Sequence, residues 1–382
     1  MIYGFGNRVR AILMKRPSLT PLAASLPSTV PFVGPETQER QLGRPFRARI
    51  GANENGFGPS PRVIEAIAAG AADVWKYADP ENFELRAAIA RHHGVAPANI
   101  MIGPGIDGLL GLAVRLFVEP GQTVVSSLGG YPTFNFHVAG YGARLTTVAY
   151  RDDREDLDGL LDAIRRERPA MAYLANPDNP MGTWWPAAEV QRFIEALPET
   201  TMLILDEAYC ETAPASALPV LDAGRPNILR MRTFSKAYGM AGMRCGYLIG
   251  DKDNIQAFDK VRDHFGMARL TQAAAIAALA DQDWLDSVVT RIARSRDRIA
   301  QVAAESGLSP LPSASNFVAI DCGGDGAFAL KVLQSLVARE VFVRKPMAPV
   351  LDRCIRVSCG PDRLMDIFAE ELPGALAAAR GN

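Results

Sequence analysis

The sequence predicts an α/β protein: a large unit with a mainly parallel sheet between helices, followed by a smaller α+β unit. Three observations carry this. From residue 100 onward, short apolar segments of strand length alternate with longer segments of helical period, the pattern of a parallel sheet covered on both faces. Helical spacing then dominates from residue 255 to about 305, and three more strand candidates follow. A chain of 382 residues with 48% hydrophobic and 22% charged residues has enough apolar mass for two cores.

In chain order, Arg8, Arg10, Lys15 and Arg16 surround the apolar run 11–14, which is too short for a secretory leader; Met14 is a second candidate start. Residues 17–48 are rich in Pro, Ser and Arg and read as an extended arm. A turn cluster over 50–61 ends in Pro61, which opens a helix with apolar residues at Val63, Ile64, Ile67 and Ala68. A second helix is expected over 84–93. Strands are expected at 122–126, 144–148, 170–174, 202–205, 228–232 and 246–249, with helices over 109–117, 157–168 and 187–197. The last unit carries strands near 317–321, 341–343 and 355–358. The charged block 151–156 reads as a solvated loop and helix start.

Composition excludes several function classes. A formal net charge of -1 argues against nucleic acid or an acidic membrane as partner, and no apolar run reaches the length of a membrane span. The five cysteines contain no C-x-x-C pair and read as reduced thiols of a cytoplasmic protein. The four histidines show no metal-ligand spacing, so no metal is expected.

Chemistry concentrates in the run R-T-F-S-K-A-Y-G-M-A-G-M-R over residues 232–244. A lysine that bonds to a carbonyl carbon must shed its proton easily, so Lys236 needs surroundings that disfavour the ammonium form. The hydroxyls of Thr233 and Ser235 and the fork of Arg244 suit a phosphate. An imine-forming lysine beside a phosphate clamp describes a pyridoxal-phosphate site; a Gly-rich surface turn is the plain alternative for the run alone. Asp206, at the end of an apolar strand, can pair with a protonated pyridine nitrogen, and Tyr209 can hydrogen-bond the ring's phenolate oxygen. Asn179, in N-P-D-N-P-M-G-T over 176–183, can donate to the same oxygen. The G-P-G-I-D-G segment over 103–108 precedes an apolar helix, where backbone N–H groups can cradle a phosphate. A capping Asp, a Pro-rich turn and a plain Gly turn explain the last three segments equally well one at a time.

Taken together and in this order, the segments resemble the motifs of fold-type I pyridoxal-phosphate aminotransferases of class I/II, most closely the histidinol-phosphate aminotransferase branch. The resemblance spans about residues 50–360. Residues 176–183 resemble N-P-N-N-P-T-G, with Asp178 and Met181 departing, and 103–108 resemble G-x-G-x-D-E, with Gly108 in place of Glu. It implies that Ile106 and Asp107 join Thr233, Ser235 and Arg244 around the cofactor phosphate. In Y-P-T-F over 131–134, Phe134 would lie over the ring where the family has Tyr, with Tyr131 a second candidate. Tyr77, in Y-A-D-P, would cross a homodimer interface to the neighbour's cofactor phosphate. Arg356, in R-V-S-C-G, would clamp the substrate α-carboxylate. Arg344 would help hold a substrate phosphate, and Asn53 would lie near the substrate. The implied division is an arm (1–50) serving the small domain and the dimer, a large cofactor domain (51–270) and a small α+β domain (271–382).

The implied reaction moves an amino group to a 2-oxo acid such as 2-oxoglutarate in two ping-pong half-reactions. Lys236 would form the imine and carry the proton, and Asp206 and Tyr209 would support it. The family pattern V-R-x-P-Y-N-x-N is V-R-D-H-F-G-M-A over 261–268, with Pro, Tyr and Asn replaced. The donor therefore stays open between a histidinol-phosphate-like and an aromatic amino compound, and His264 and Arg269 have no assigned role. Two alternatives share the same residues: a decarboxylase of a phosphorylated amino acid, and a non-catalytic binding or regulatory protein.

Overall fold

The computed structural model describes residues 17–28 and 33–381. The basic, apolar segment 8–16 and the candidate start Met14 lie outside the described residues. Within the arm, two short helices replace the expected extended chain, Pro21–Ser25 and Pro35–Leu42. Each starts on a proline, whose fixed φ suits the first helical position. The Thr20 hydroxyl accepts from the Ala23 amide at the first of them.

Among the described residues, twelve strands follow in chain order: β1 (Ala48–Arg49), β2 (Ile100–Gly103), β3 (Thr123–Ser127), β4 (Arg144–Val148), β5 (Met171–Ala175), β6 (Met202–Asp206), β7 (Ile228–Thr233), β8 (Gly246–Gly250), β9 (Ser309–Pro310), β10 (Phe317–Asp321), β11 (Val341–Phe342) and β12 (Cys354–Ser358). Seven form one sheet in the order β2-β8-β7-β6-β5-β3-β4. Every pairing in it is parallel except those of β8, which runs antiparallel to β7 and β2. The expected strands match to within a residue. β2 was not expected, because its four residues precede a Gly-Pro turn and carry no alternation of their own.

All five residues of β5 and of β6 are buried, as a sheet covered on both faces requires. Side chains alternate between two cores. Tyr173, Ile204 and Val124 pack toward helices Gly105–Phe117 and Pro132–Gly140. Ala172, Leu174, Leu203, Leu205 and Val125 pack toward helices Leu157–Glu167 and Ala187–Glu195. A third core seats β2 and β8 against helices Pro61–Gly70, Phe83–His93 and Arg269–Leu279.

The C-terminal part has its own core, made by β10, β12 and helices Gln282–Glu305, Gly326–Ala338 and Asp362–Arg380. β1 pairs in parallel with β11, tying the end of the arm to this part. The helical tract 255–305 is interrupted at residues 261–268, between helices Lys252–Ala257 and Arg269–Leu279. The block 151–156 is only partly solvated. Glu155 is buried, and Asp153 takes a two-pronged contact from Arg353 at 2.8 and 2.9 Å. No helix among the described residues is long and apolar enough to cross a membrane.

Candidate active site

Parallel sheets of this kind present their ligand sites at the carboxyl ends of the strands. A cavity of about 240 Å³ opens there, walled by Ile106, Asp107, Tyr131, Tyr173, Asn179, Asp206, Tyr209, Thr233, Ser235, Lys236 and Arg244 among others.

Lys236 is the one amine among the lining residues. Its Nζ donates to the Asn53 carbonyl at 3.2 Å and lies 5.6 Å from the centre of the Tyr209 ring. Burial, followed by the nearby Arg356 charge, pushes its pKa down to about 8. A group of this kind is available as a free amine at mildly alkaline pH.

Asp206 ends β6, and strand alternation turns it to the cavity while Glu207 faces the other way. Glu207 is buried in ion pairs with Arg230 and Arg232 and anchors the chain that leaves the strand. The Asp206 carboxylate accepts from the Tyr173 hydroxyl at 2.6 Å and from the Ala208 amide at 2.9 Å. Burial pushes it up to about 6, against the pull of those two donors. Tyr173 was not expected from the sequence. The signal was present in its register, since Tyr173 pairs with Ile204 and so shares a sheet face with Asp206.

This pair yields a prediction. The Asp206 pKa in the folded state lies above its unfolded value, so its burial favours folding at low pH, and that contribution is lost as pH rises through about 6. Tyr173→Phe removes a donor to the charged form. The window should extend upward by about one pH unit, as expected for a hydrogen bond to a charged group. Thermal unfolding of ligand-free wild type and variant between pH 5 and 8 checks this.

One end of the cavity is built for a phosphate. Gly105 opens helix Gly105–Phe117 at φ 77°, and a Cβ there would stand 2.5 Å from Arg244 Nη2. The left-handed backbone favours glycine here, and a side chain would push the guanidinium away from the helix start. Thr233 and Ser235 are joined by a 2.9 Å hydroxyl contact, and Arg244 Nη1 reaches Ser235 Oγ at 3.5 Å. Arg244 also lies 3.5 Å from Asp107, whose other oxygen accepts from Tyr131 at 2.7 Å. Free amides at a helix start, two hydroxyls and a guanidinium form a donor set that fits a phosphate dianion.

Phe134 is not part of the wall. It is fully buried and stacks on Tyr173 at 4.7 Å, one layer behind the cavity, while Tyr131 presents its ring there. The cause is local: helix Pro132–Gly140 begins between the two aromatics and turns Phe134 into the core.

Asn179 lies on the opposite side and accepts from Arg356 Nη1 at 2.5 Å. The Arg356 guanidinium lies 5.1 Å from the Phe317 ring centre, and its Nε is buried with no hydrogen-bond partner, a donor available to an incoming anion. Burial pushes its pKa down to about 10. The Asn53 side chain donates to the Tyr209 hydroxyl at 2.9 Å. Arg344 is bridged to Arg356 through the backbone, lies over the Phe342 ring at 5.6 Å and donates to the Val33 carbonyl at 3.0 Å.

Tyr77 does not join this cavity. It is 79% exposed, packs at a tilt against Phe265 with ring centres 4.7 Å apart and lines a separate surface depression with Met267 and Arg269. His264 and Arg269 are exposed on the same side, so the segment 261–269 bears on the Tyr77 surface, outside the walls of this chain's cavity.

The family model for "Aminotransferase class I and II" matches residues 49–372. The chain belongs to this family. Among curated relatives of this aminotransferase family member, the histidinol-phosphate aminotransferase of Roseiflexus castenholzii is 35% identical over 365 residues, 92% of this chain and 97% of that protein. Histidinol-phosphate aminotransferase 1 of Mesorhizobium japonicum is 36% identical over 345 residues, 88% and 92% of the two chains. Among solved structures, the histidinol-phosphate aminotransferase of Sinorhizobium meliloti in complex with pyridoxal-5'-phosphate superposes with a TM-score of 0.92 at 59% identity, covering 96% of this chain and 99% of the other. Thermus thermophilus aspartate aminotransferase with maleate shares the fold at 20% identity, with a TM-score of 0.77 over 94% of this chain and 100% of the other. The α/β architecture with a mainly parallel sheet is therefore that of the fold-type I aminotransferases.

Proposed function

We propose that this chain is a pyridoxal-phosphate-dependent aminotransferase that moves the amino group of histidinol phosphate, or a close analogue, to a 2-oxo acid such as 2-oxoglutarate. The observation that carries this is a single cavity holding Lys236, Asp206 and the Arg244 phosphate cradle, with Arg356 and Asn179 on its far side. The similarity to the Sinorhizobium meliloti enzyme favours the substrate.

When bound, pyridoxal phosphate supplies an electron-poor ring that stabilises negative charge at the substrate's α-carbon. Thr233, Ser235, Arg244 and the amides of Ile106 and Asp107 would hold its phosphate. Asp206 would pair with the ring nitrogen, Asn179 and Tyr209 would flank the ring oxygen, and Lys236 would hold the aldehyde carbon. Tyr131 is the aromatic placed to cover the ring.

The chain's own residues then have defined tasks. Tyr173 and the Ala208 amide keep Asp206 ionised and fixed in direction. Lys236, with its depressed pKa, would take a proton from the substrate's α-carbon and return it to the cofactor carbon two bonds away. Arg356 binds the anionic end of the substrate, a carboxylate in the 2-oxo acid and a phosphate ester in histidinol phosphate. Arg344, its backbone neighbour, adds positive charge to the same end.

The same proposal includes a homodimer in which Tyr77 reaches the neighbour's cavity. Exposed Trp75, Tyr77, Phe83 and Phe265 support it as an apolar surface. It includes the division near residue 270, supported by the separate C-terminal core. It also includes a cytoplasmic location, supported by five buried free cysteines.

The test is an assay of the holoprotein with histidinol phosphate, phenylalanine, tyrosine, aspartate and glutamate as donors. Transfer from histidinol phosphate to 2-oxoglutarate is the expected result. Preference for an aromatic donor would overturn the substrate, and carbon dioxide release independent of any 2-oxo acid would overturn the reaction.

A further inference from the structure

Behind the wall that carries Asn179 lie two carboxyl groups that the reaction does not use. Glu155 and Asp178 are each 2% exposed, and each carboxyl lies close enough to act on the other. Each comes from an unexpected place. Glu155 is the buried member of a charged surface block, and Asp178 is one of the two departures from the family's N-P-N-N-P-T-G segment.

The partners of the pair are few and nearly all neutral. Glu155 accepts from the Ser127 hydroxyl at 3.0 Å, at the end of β3, and from the Ala175 amide at 3.2 Å, at the end of β5. Asp178 accepts from the Tyr150 hydroxyl at 2.7 Å and from the Met181 amide at 3.0 Å. Among the described residues, neither carboxyl forms an ion pair with a lysine or arginine, although Arg356 acts on Asp178 through its charge from β12. Two buried carboxylates in contact repel strongly, so one proton must lie between them.

The pair also sits at a mechanical junction. Asp178 closes the turn that presents Asn179: its amide donates to the Thr183 carbonyl at 2.8 Å, and its carbonyl accepts from the Gly182 amide at 3.1 Å. Met181, from the same turn, packs with Ala319, Ala348, Leu351 and Cys354, with Tyr150 against them. Trp185 clamps the Glu155 carbonyl at 2.8 Å, and Thr183 clamps that of Asp153 at 2.9 Å. The turn therefore touches both the sheet that bears Asp206 and the strands that bear Arg356.

We propose that Glu155 and Asp178 share one proton and act as positioning residues for the Asn179–Arg356 contact, so that loss of this proton weakens binding of the substrate's anionic end. Losing the proton has two effects of the same sign. Repulsion between the carboxylates displaces the turn that carries Asn179, and a second negative charge near Arg356 offsets the attraction for a substrate anion. Burial and mutual contact hold the shared proton above the usual carboxylate range. The stability it contributes is therefore present at low pH and lost as pH rises through the pair's folded-state value. An asparagine at position 178 would donate to Glu155 with no proton to lose.

The experiment compares holoprotein of wild type, Asp178→Asn and Glu155→Gln. In the carbonyl-stretch infrared region at pH 7, wild type should show a protonated carboxyl band that both variants lack. With L-glutamate as donor, KM of wild type should rise between pH 7 and pH 9 by about threefold to tenfold more than KM of Asp178→Asn, as coupling of up to one pH unit gives. The kcat profiles should superimpose. A full infrared band in Asp178→Asn, or parallel KM profiles, overturns the proposal. The two variants are near-isosteric, so one serves if the other fails to fold. The KM measurement rests on the binding role proposed for Arg356, whereas the infrared measurement does not; failure of that role leaves the band difference intact.

Discussion

Lys236→Met is expected to abolish amino transfer while leaving the fold intact, and to make the ligand-free protein more stable at neutral pH. The loss of turnover follows from position. Lys236 is the only amine lining the cavity, and its removal takes away both the anchor for the cofactor's aldehyde carbon and the proton carrier. The carrier alone accounts for a loss of about 10²–10⁴ in kcat. Methionine has a similar volume, so no large void is left in the wall.

The gain in stability follows from the sign of the pKa shift. The folded-state pKa of Lys236, about 8, lies below its unfolded value of 10.5. Below pH 8 the folded protein buries an ammonium group, and the full cost is present. The cost shrinks as pH rises from about 8 and is gone above the unfolded value. Thermal unfolding should therefore show the variant ahead of wild type at pH 7 and level with it near the alkaline limit. A wild-type advantage at pH 7 would mean that Lys236 is held by interactions stronger than its contact with the Asn53 carbonyl.

Asp206→Asn is expected to cost about 10²–10³ in kcat, the scale found for removing one preorganised electrostatic partner of a reacting centre. The asparagine oxygen can keep the contact from the Ala208 amide, and its NH2 can donate to the Tyr173 hydroxyl, which turns to accept; the shape is retained and the charge is lost. Cofactor affinity should fall as well, since a neutral amide no longer favours the protonated ring nitrogen. Single-turnover rates and a cofactor titration separate the two effects. An unchanged single-turnover rate would remove Asp206 from the proposed chemistry.

Much of this was legible before any coordinates. β5 and β6 could be read because each is a continuous apolar run ending at or followed by a polar residue, the signature of a doubly covered sheet, and the other strands because short segments of strand length alternate with helical ones. Lys236, Asp206, Asn179, Thr233 and Ser235 could be read because each ends or closely follows a strand, where sheets of this class collect their ligand sites, and Arg244 because it shares the lysine segment just before β8. β2 escaped because four residues before a turn carry no period.

Side-chain direction was less legible. Phe134 and Tyr131 are three residues apart, and only the start of a helix between them decides which ring reaches the cavity. Tyr173 looked like core, and its hydroxyl gained a role only when β5 was set beside β6 in register with Asp206. Glu155 looked solvated because its neighbours are charged. Its burial depends on Trp185, Ser127 and Ala175, which lie 20 to 30 residues away in the chain.

The sequence by itself therefore determined the sheet, the family and the residues that meet at its carboxyl edge, because strand period and turn chemistry act over a few residues. The tertiary structure alone decided which neighbours tune those residues. Tyr173 on Asp206, the carboxyl pair behind Asn179 and the unpartnered Nε of Arg356 arise from burial and from contacts between distant segments. The energy of such contacts is set by the loss of water around charged groups, which no local pattern of residues records.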